Sequence, residues 1–422
     1  MKKTVLRFFL CLMFLLTNLV MAQPLWAQPV LETGSLKPMP NEWIDKDTHH
    51  KVIRLSSLDG NSLSFYFHNN PFLEQSSNEG DRMVFYNTGI NGKFCYSVNL
   101  KTLKIDQITD QNTPLSREVY AHNIHNGEIV SRKSHNIYYQ QKDSVFVTNI
   151  DTKKSRLVFV FPANFKNASI NTLNADETML AGVQSGEEQE EILKKFPEKK
   201  DYFTRIYDAH ILHALFTINI STGELKKIFE EKAWLNHVQF SPTQPNMLMY
   251  CHEGPWHKVD RIRTIDIKTG VTQLMHKRSM ENEIAGHEFF SPDGKTIWFD
   301  NQLPRGETFF LTGSSVKDHS EKRYQMTRDE WSIHFNVTPD EKLFAGDGGN
   351  EGQVAKAKDG MWIYVFRPNG DHFDSERLVN MKNHNYKLEP NVHFSPSEKW
   401  IIFRGNFEGS EQIYAVEIAK TI

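Results

Sequence analysis

The stretch Glu288-Phe-Phe-Ser-Pro-Asp-Gly-Lys-Thr-Ile-Trp-Phe299 decides the fold of this chain. Proline presets φ and glycine tolerates positive φ, so Pro-Asp-Gly between two apolar runs predicts a turn joining two strands. The same pattern recurs at Val238-Gln-Phe-Ser-Pro242, at Phe335-Asn-Val-Thr-Pro-Asp-Glu-Lys-Leu-Phe344 and at Val392-His-Phe-Ser-Pro-Ser-Glu-Lys-Trp-Ile-Ile-Phe403. Weaker copies lie near residues 70–86, 122–139 and 173–183.

A second motif follows each copy: an alternating strand that often runs into a Thr-Gly turn, as in Arg263-Thr-Ile-Asp-Ile-Lys-Thr-Gly270. Its copies begin near Cys95, Val145, Leu215, Arg263, Thr308, Trp362 and Gln412. Both motifs therefore occur seven times, at spacings of roughly 45 to 65 residues. Alternation with regular turns indicates strands, and four strands per unit are typical of a propeller blade. We predict an all-β chain whose residues 23–422 form a single seven-bladed β-propeller with TolB-like repeats.

Two further features shape this prediction. Residues 51–55 are expected to close the ring against the last strand, residues 412–418, because closure hides the edge strands. Residues 185–213 are rich in Glu, Lys and Phe, lack alternation, and predict a helical insertion in the third blade. Such an insertion is either a plain surface elaboration or a lid over the channel mouth.

The N-terminus predicts export. Lys2, Lys3 and Arg7 precede an apolar run over residues 8–20, and Ala22 and Ala27 are candidate cleavage points. We therefore expect residues 1–22 to be a signal peptide and the mature protein to be periplasmic or secreted, with no membrane anchor after cleavage.

The charge and the cysteines exclude some classes of protein. Removing the three positive charges of residues 1–22 changes the net charge from −3 to about −6, which is unlike a nucleic-acid-binding protein with its concentrated basic surface. Only Cys95 and Cys251 remain after cleavage, so a disulfide framework does not hold the fold together.

Four polar residues share one position in the repeat, four residues before the Ser/Thr of Ser/Thr-Pro. They are His237, His287, His334 and Asn391. Because equivalent positions of successive blades meet around the axis of a propeller, these side chains are expected to point into one space. With Glu389, two residues before Asn391, they could hold a divalent cation: Ca²⁺, Mg²⁺ and Mn²⁺ prefer oxygen, and transition metals accept imidazole. The alternative is a hydrogen-bonded plug in the channel.

A second polar cluster lies at Cys251-His-Glu-Gly-Pro-Trp-His-Lys-Val-Asp-Arg261. It offers the imidazoles of His252 and His257, two carboxylates and the cation of Arg261, although an Asp–Arg pair is often structural. Arg263, Arg305 and Arg404 are further cations that could face an acidic ligand. Gly-x-Ser-x-Gly, His-Glu-x-x-His and a phosphate-binding glycine loop are all missing from the sequence.

These residues resemble the oligogalacturonate lyase family (polysaccharide lyase family 22) over most of the mature chain. The resemblance rests on His50-Lys-Val-Ile-Arg-Leu-Ser56, Asn61-Ser-Leu-Ser-Phe-Tyr-Phe67, Trp234-Leu-Asn-His237, Cys251-His-Glu-Gly-Pro255, His287-Glu-Phe289 and Gly346-Asp-Gly-Gly349. It implies a seven-bladed propeller that cleaves short oligogalacturonates by β-elimination, with a Mn²⁺-type cation near the axis.

The resemblance also implies roles for single residues. His237 matches the general base, with His252 as the second candidate, and His287 matches a metal ligand. The family's remaining ligands are a His-x-His pair and a preceding Gln, where this chain has Glu389, Asn391 and Tyr386. The family's arginine near the end of the insertion is replaced here by the pair His213-Ala214.

From the residues and the resemblance together, the sequence predicts a lyase acting on an acidic oligosaccharide. Its metal ligands would be His287, Glu389 and Asn391, and its substrate-binding residues His257, Arg261, Arg404 and His334. A non-catalytic propeller that binds a glycan or a protein, and a lyase or hydrolase for another glycan, are the alternatives.

Overall fold

The computed structural model describes residues 28–74, 80–110 and 129–421. The predicted signal peptide, residues 1–22, lies outside this range, as does part of the weak repeat at 122–139. Among the residues described, none of the helices combines the length and the apolar character that a membrane span requires.

Nearly all of the regular secondary structure in the described residues is strand, which confirms the all-β prediction. Strands β1 to β8 are Val30–Leu31, Glu42–Asp45, His50–Arg54, Asn61–Leu63, Phe72–Leu73, Arg82–Gly89, Gly92–Asn99 and Ile105–Gln107. Strands β9 to β16 are Ile129–Ser131, Asn136–Gln141, Ser144–Asn149, Ser155–Val160, Ala168–Leu173, Met179–Ser185, His213–Asn219 and Leu225–Glu231. Strands β17 to β24 are Leu235–Phe240, Met247–His252, Ile262–Asp266, Thr272–Leu274, Ile284–Phe290, Thr296–Gln302, Phe309–Ser315 and Glu321–Met326. Strands β25 to β31 are Phe335–Val337, Phe344–Gly346, Trp362–Asn369, His372–Asn380, His393–Phe394, Trp400–Gly405 and Gln412–Lys420.

Within the described ranges these strands form six sheets. Strands β9–β12, β13–β16 and β17–β20 each form a four-stranded antiparallel sheet in chain order, and β4–β8 form a five-stranded sheet. An eight-stranded sheet consists of the runs β21–β24 and β25–β28, which one parallel pair, Gln325 with His372, joins. The last sheet has the order β1-β2-β3-β31-β30-β29.

The two ends of the chain meet in this last sheet. Strand β3 pairs antiparallel with β31, with Val52 opposite Val416 and Ile53 opposite Ala415. Both valines are fully buried. The predicted pairing of residues 51–55 with the final strand is therefore confirmed.

The apolar core lies between consecutive sheets. One cluster joins Leu215 of β15 to Tyr250 of β18, and another joins Met249 of β18 to Phe299 of β22. A third cluster joins Met83 of β6 to Ile402 of β30, so a sheet near the start of the chain packs against the sheet that ends it. Cys95 and Cys251 are buried in the described structure and form no disulfide.

The predicted helical segment is present between β14 and β15. Among the described residues it contains two helices, α1 (Glu187–Lys195) and α2 (Lys199–Asp208). Helix α1 buries none of its residues and α2 buries only Ile206. Helix α2 nevertheless packs on the following sheet, because the ring of Phe203 lies 5.2 Å from that of Trp234.

Candidate active site

The repeated polar position coincides with breaks in the strand register. Pairing of β17 with β18 shifts between Asn236 and Gln239, and His237 between them has φ 47°. Pairing of β21 with β22 shifts between Gly286 and Phe289, and His287 there has φ 52°. A bulge with left-handed backbone turns a side chain away from the regular alternation of its strand. The backbone thus presents both imidazoles to one cavity.

This cavity has a volume of about 1080 Å³ and is open to solvent on one side. Its floor is formed by Tyr66, His237, His287, Asp300 and Glu389, which come from widely separated parts of the chain. Its walls include the aromatic side chains Phe203, Trp234, Trp256 and Trp331. Five exposed cations also line it: Lys199, Arg305, Arg328, Lys356 and Lys358.

His237 faces a buried charge network. Its Nε2 lies 3.5 Å from Glu253 Oε2. Arg261 donates to Glu253 Oε1 at 2.7 Å through Nη1 and to Glu288 Oε2 at 2.9 Å through Nε. Burial lowers the pKa of His237, and the charge of Arg261 lowers it further. The ring is therefore neutral near pH 7 and able to accept a proton.

The positive charge of Arg261 is neutralised by its protein neighbours and is not free to bind a ligand. The side chain is only 4% exposed and lies between two buried carboxylates, so this group of three has a net charge of −1. Burial works against ionisation of Glu253, but the charge of Arg261 outweighs it and lowers the pKa of that carboxyl to about 2. The predicted substrate-binding arginine is thus held in an ion network at the cavity wall.

His287 and Asp300 lie side by side. His287 Nδ1 is 4.0 Å from Asp300 Oδ2 and has no hydrogen-bond partner in the described structure. Asp300 accepts hydrogen bonds from Trp331 Nε1 at 3.0 Å and from Gln302 Nε2 at 2.9 Å. Burial raises the pKa of Asp300 to about 7 in spite of these bonds.

His334 lies behind the floor. Its Nδ1 is 2.9 Å from Asp347 Oδ2, and its ring centroid is 5.1 Å from that of His287. Its Nε2 is buried without a hydrogen-bond partner and lies 3.7 Å from Glu389 Oε2. Two imidazole nitrogens, His287 Nδ1 and His334 Nε2, are thus unsatisfied, and the second lies near the carboxylate of Glu389, which is 43% exposed.

Asn391 corrects one prediction. Residues 389–391 are not an extended strand, because Asn391 has φ 52°, so its side chain does not share a side with that of Glu389. The amide oxygen accepts from the backbone N–H of Phe67 at 2.9 Å, and Nδ2 donates to the carbonyl of Glu389 at 3.0 Å. Both ends of the amide therefore bind backbone, and Asn391 is not among the residues that line the cavity.

Three other predicted residues do not line the cavity as the structure describes it. His252 points to Glu231, with 3.1 Å between Nε2 and Oε2. His257 belongs to a 3-10 helix, Trp256–Lys258, of which only Trp256 lines the cavity. Arg404 donates to the side chain and carbonyl of Ser64 at 3.2 and 2.5 Å. Arg404 is thus engaged by protein.

Two floor residues were missed by the sequence analysis. Tyr66 was noted only as part of a family-like segment, and Asp300 stands in an apolar run that predicts a buried strand. Burial raises the pKa of Tyr66 well above its usual value, and the negative charge of Glu389 raises it further. Tyr66 is therefore a protonated hydroxyl at any moderate pH. A polar residue at the end of a strand before a turn was the available signal for Asp300.

A metal site is not preformed. Across residues 28–74, 80–110 and 129–421, no three His, Cys, Asp or Glu side chains are gathered closely enough to hold an ion. The donors in and just behind the floor, two unsatisfied imidazole nitrogens and a carboxylate, are nevertheless types that Mn²⁺ and similar cations accept.

A neutral imidazole on the floor, a protonated tyrosine beside it and cations along the rim together fit an enzyme that removes a proton from an acidic sugar, a polysaccharide lyase. The comparison with protein families agrees. The chain belongs to the oligogalacturonate lyase family, whose model matches residues 39–422.

Named relatives and solved structures are similar over nearly the whole chain. The oligogalacturonate lyase of Dickeya dadantii (strain 3937) is 23% identical over 396 residues, covering 90% of this chain and 96% of the relative. The oligogalacturonide lyase of Pectobacterium atrosepticum is 20% identical, with 90% and 96% covered. A structure of an oligogalacturonate lyase in complex with manganese has a TM-score of 0.73 at 21% identity, covering 90% and 96%. The Vibrio parahaemolyticus oligogalacturonate lyase has a TM-score of 0.73 at 20% identity, with the same coverage. These structures show that the fold is shared.

Proposed function

We propose that this protein cleaves uronate-containing oligosaccharides, oligogalacturonates first among them, by β-elimination to give a 4,5-unsaturated uronate. The observation that carries this proposal is the placement of His237, a buried neutral imidazole on the floor of a cavity whose rim is cationic. Membership of the oligogalacturonate lyase family supports the choice of substrate. The predicted signal peptide supports a location of the reaction in the periplasm or outside the cell.

We further infer that the sheets are the seven blades of a propeller. The described sheets divide into seven runs of about four strands if the eight-stranded sheet is counted as two, which its single connecting pair supports. Packing of consecutive sheets and pairing of β3 with β31 support a closed ring. The predicted TolB-like character of the repeats stays a prediction.

In this mechanism His237 is the base. β-Elimination breaks the C5–H bond, and its electron pair forms the C4–C5 double bond while the C4–O4 bond breaks. The C5 proton moves to the imidazole of His237, and Glu253, whose Oε2 lies 3.5 Å from Nε2, stabilises the imidazolium that forms. The sugar oxygen that leaves from C4 must take up a proton, and the protonated hydroxyl of Tyr66 lines the same cavity. Tyr66 is therefore assigned the role of acid.

The negative charge that builds on the uronate carboxylate needs a cation. A divalent cation, when bound, supplies this stabilisation as a Lewis acid. His287, His334 and Glu389 would hold it, because the free ring nitrogens of the two histidines are unsatisfied and the carboxylate of Glu389 is partly exposed. Mn²⁺ suits this mixture of imidazole and carboxylate best, with Ca²⁺ and Mg²⁺ as alternatives.

A lyase specific for a different uronate is the second candidate. It is favoured by the engaged side chains of Asn391 and Arg404 and by the neutralised Arg261, since three groups predicted to meet the substrate or its cation bind protein instead. A non-catalytic propeller that binds a glycan or a protein has no comparable support from the floor.

The test is the ultraviolet absorbance of the unsaturated product, measured with a panel of uronate oligosaccharides with and without a chelator. His237→Asn removes the base and keeps a residue that tolerates the left-handed backbone. We expect it to lower kcat by roughly 10²–10⁴, whereas His252→Asn, outside the cavity, leaves kcat near the wild-type value. A flat absorbance trace for folded, metal-supplied wild type across the whole panel would contradict the proposed function.

A further inference from the structure

Five exposed cations of the cavity, which we call the rim cations, have no acidic partner among the described residues. Lys199, Arg305, Arg328, Lys356 and Lys358 line the cavity together with the buried, ion-paired Arg261. Elsewhere in the described chain many Lys and Arg residues form ion pairs with Asp or Glu, including Arg278 and Lys322. Within those same described residues, none of the rim cations lies within 4.0 Å of a carboxylate oxygen. Five uncompensated positive charges around one opening attract a polyanion.

Hydrogen bonds hold part of this rim in place. Arg328 donates to the carbonyl of Gly306 at 2.9 Å and also to the carbonyl of Ala355. The N–H of Gly306 donates to Gln302 Oε1 at 3.0 Å, and Gln302 Nε2 donates to Asp300 at 2.9 Å. A chain of bonds therefore runs from the cavity floor to the loop over residues 350–358, which carries Lys356 and Lys358.

Aromatic rings form another part of the lining. Phe203 of helix α2 lies 6.1 Å from Trp256, measured between ring centroids, and the guanidinium of Arg305 lies 5.2 Å from the centroid of Trp256. Such apolar walls with a few placed polar groups are typical of ligand sites. Helix α2 thus contributes a wall of the cavity together with Lys199.

Two different elements carry the lysines of the rim. Lys199 Nζ of helix α2 lies 5.6 Å from the ring centroid of Phe203, and that ring lies 5.2 Å from the ring of Trp234, three residues before His237. Lys356 and Lys358 are exposed on the loop over residues 350–358, and four hydrogen-bonded links separate Asp300 at the floor from Ala355 of that loop. These two lysines therefore lie at the outer end of that chain of bonds.

We propose that Lys356 and Lys358 form a subsite for the carboxylate of a uronate residue beyond the two that flank the scissile bond. This inference rests on the proposed function. A uronate oligomer carries one carboxylate per sugar, and five rim cations exceed what the two sugars at the bond can use. A cavity of about 1080 Å³ is also at the upper end of roughly 300–1,000 Å³ for sites that hold one small molecule. The protein accordingly prefers a trimer or a longer chain to a dimer.

The test compares digalacturonate with trigalacturonate as substrates for wild type and for Lys356→Ser/Lys358→Ser. For the trimer we expect KM to rise roughly tenfold, as loss of two exposed charge contacts implies, with kcat little changed because these contacts form equally in ground and transition states. For the dimer both constants stay near wild type. The control is Lys268→Ser/Lys399→Ser, which removes the same charge from exposed sites outside the cavity.

A second readout separates this subsite from the chemistry. Calorimetric titration of trigalacturonate into His237→Asn, with and without the two lysine substitutions, measures binding in the absence of turnover, and a weaker Kd with the substitutions supports the subsite. Equal changes for dimer and trimer, or equal changes in the control variant, would overturn the subsite while leaving the lyase intact. A wild type that binds the trimer through these lysines but forms no unsaturated product would keep the subsite and overturn the proposed function.

Discussion

Single residues at the floor owe their position to backbone geometry that few residue types adopt. His237, His287 and Asn391 have φ near 50°, and the first two lie where neighbouring strands leave register. A non-glycine residue in this region is uncommon and carries a cost of about 1–3 kcal/mol. The surrounding sheets hold it there, and the side chain gains an orientation that the regular alternation of a strand does not offer.

Tyr66 carries the first prediction. Tyr66→Phe keeps the ring, which packs 5.0 Å from His334, and removes only the hydroxyl. If the hydroxyl protonates the leaving oxygen, kcat falls by roughly 10²–10⁴, and substrates with a better leaving group at C4 recover part of the loss. The measurement is kcat for natural and activated substrates. Unchanged kcat with the natural substrate would rule out Tyr66 as the acid.

The sequence predicted some of the residues at this floor, and there are physical reasons why it did not predict the others correctly. The shared repeat position identified His237 and His287, because repeats that fold alike place equivalent residues alike. The same reasoning included Asn391, whose amide is instead taken up by Phe67 and Glu389. Whether a polar side chain faces a ligand or a neighbouring backbone group depends on contacts with distant parts of the chain, and spacing along a sequence does not contain them.

At the scale of elements, one glycine fixes helix α2 against the sheet β17–β20. Gly254 has φ 153°, and a Cβ there would lie 2.4 Å from Cδ2 of Tyr207. We expect Gly254→Ala to displace Tyr207 and α2 and to raise KM severalfold, because Lys199 and Phe203 lie on that helix. Gly223→Ala is the control, since it adds a Cβ at φ 71° with nothing within 4 Å. Equal KM values for the two variants would contradict this role.

A buried histidine links strands elsewhere and makes stability depend on pH. His276 lies 2.8 Å from Glu283 and 2.6 Å from Glu321. Burial works against the charged ring, but these two bonds outweigh it and raise the pKa of His276 to about 9. Because the folded-state pKa lies above the unfolded value, the stability gained is complete below about pH 6.5 and is lost as pH rises through about 9.

The expected size of this effect is about 3 kcal/mol in the free energy of unfolding. The measurement is urea unfolding of wild type and His276→Gln at pH 6 and pH 10, where groups common to both proteins cancel in the difference. Wild type should be the more stable at pH 6, and most of that advantage should be gone at pH 10. A difference that does not change with pH would show that His276 is not charged in the folded protein.

The strands and the helical segment were easier to predict from the sequence than the contacts between them. Turn chemistry and alternation located the strands and the helical segment from local sequence alone. The ion network of Arg261 was harder to predict. Glu253 is a neighbour in sequence, but Glu288 belongs to the next sheet. The pairing of Arg261 with Glu288 depends on how the two sheets pack. The sequence therefore suggested a substrate-binding arginine, whereas in the structure Arg261 connects two sheets.

At the scale of the whole molecule, the sheets and the cavity depend on the pairing of the two ends of the chain. The strands β3 and β31 are far apart in the sequence, and their pairing places the two ends of the chain in one sheet. Pairing of strands so far apart in the sequence must offset the entropy lost in closing a long loop. The cavity draws its floor from Tyr66 near one end of the chain and Glu389 near the other, so it exists only when the ends have joined.

Val52→Lys tests this dependence. Val52 is fully buried opposite Val416, and a lysine there buries an unpaired charge at the seam. We expect a loss of roughly 3 kcal/mol or more in the free energy of unfolding. The control is Val271→Lys, which makes the same change at a side chain that is 57% exposed and should shift stability by no more than about 0.5 kcal/mol.

Urea unfolding followed by tryptophan fluorescence measures both variants, and product formation at low urea shows whether activity is lost with the fold or before it. If the seam opens before the sheets unfold, activity disappears at a lower urea concentration than the fluorescence transition in Val52→Lys, while the two coincide in the control. Coincident transitions in both variants would mean that closure and global folding are one cooperative event.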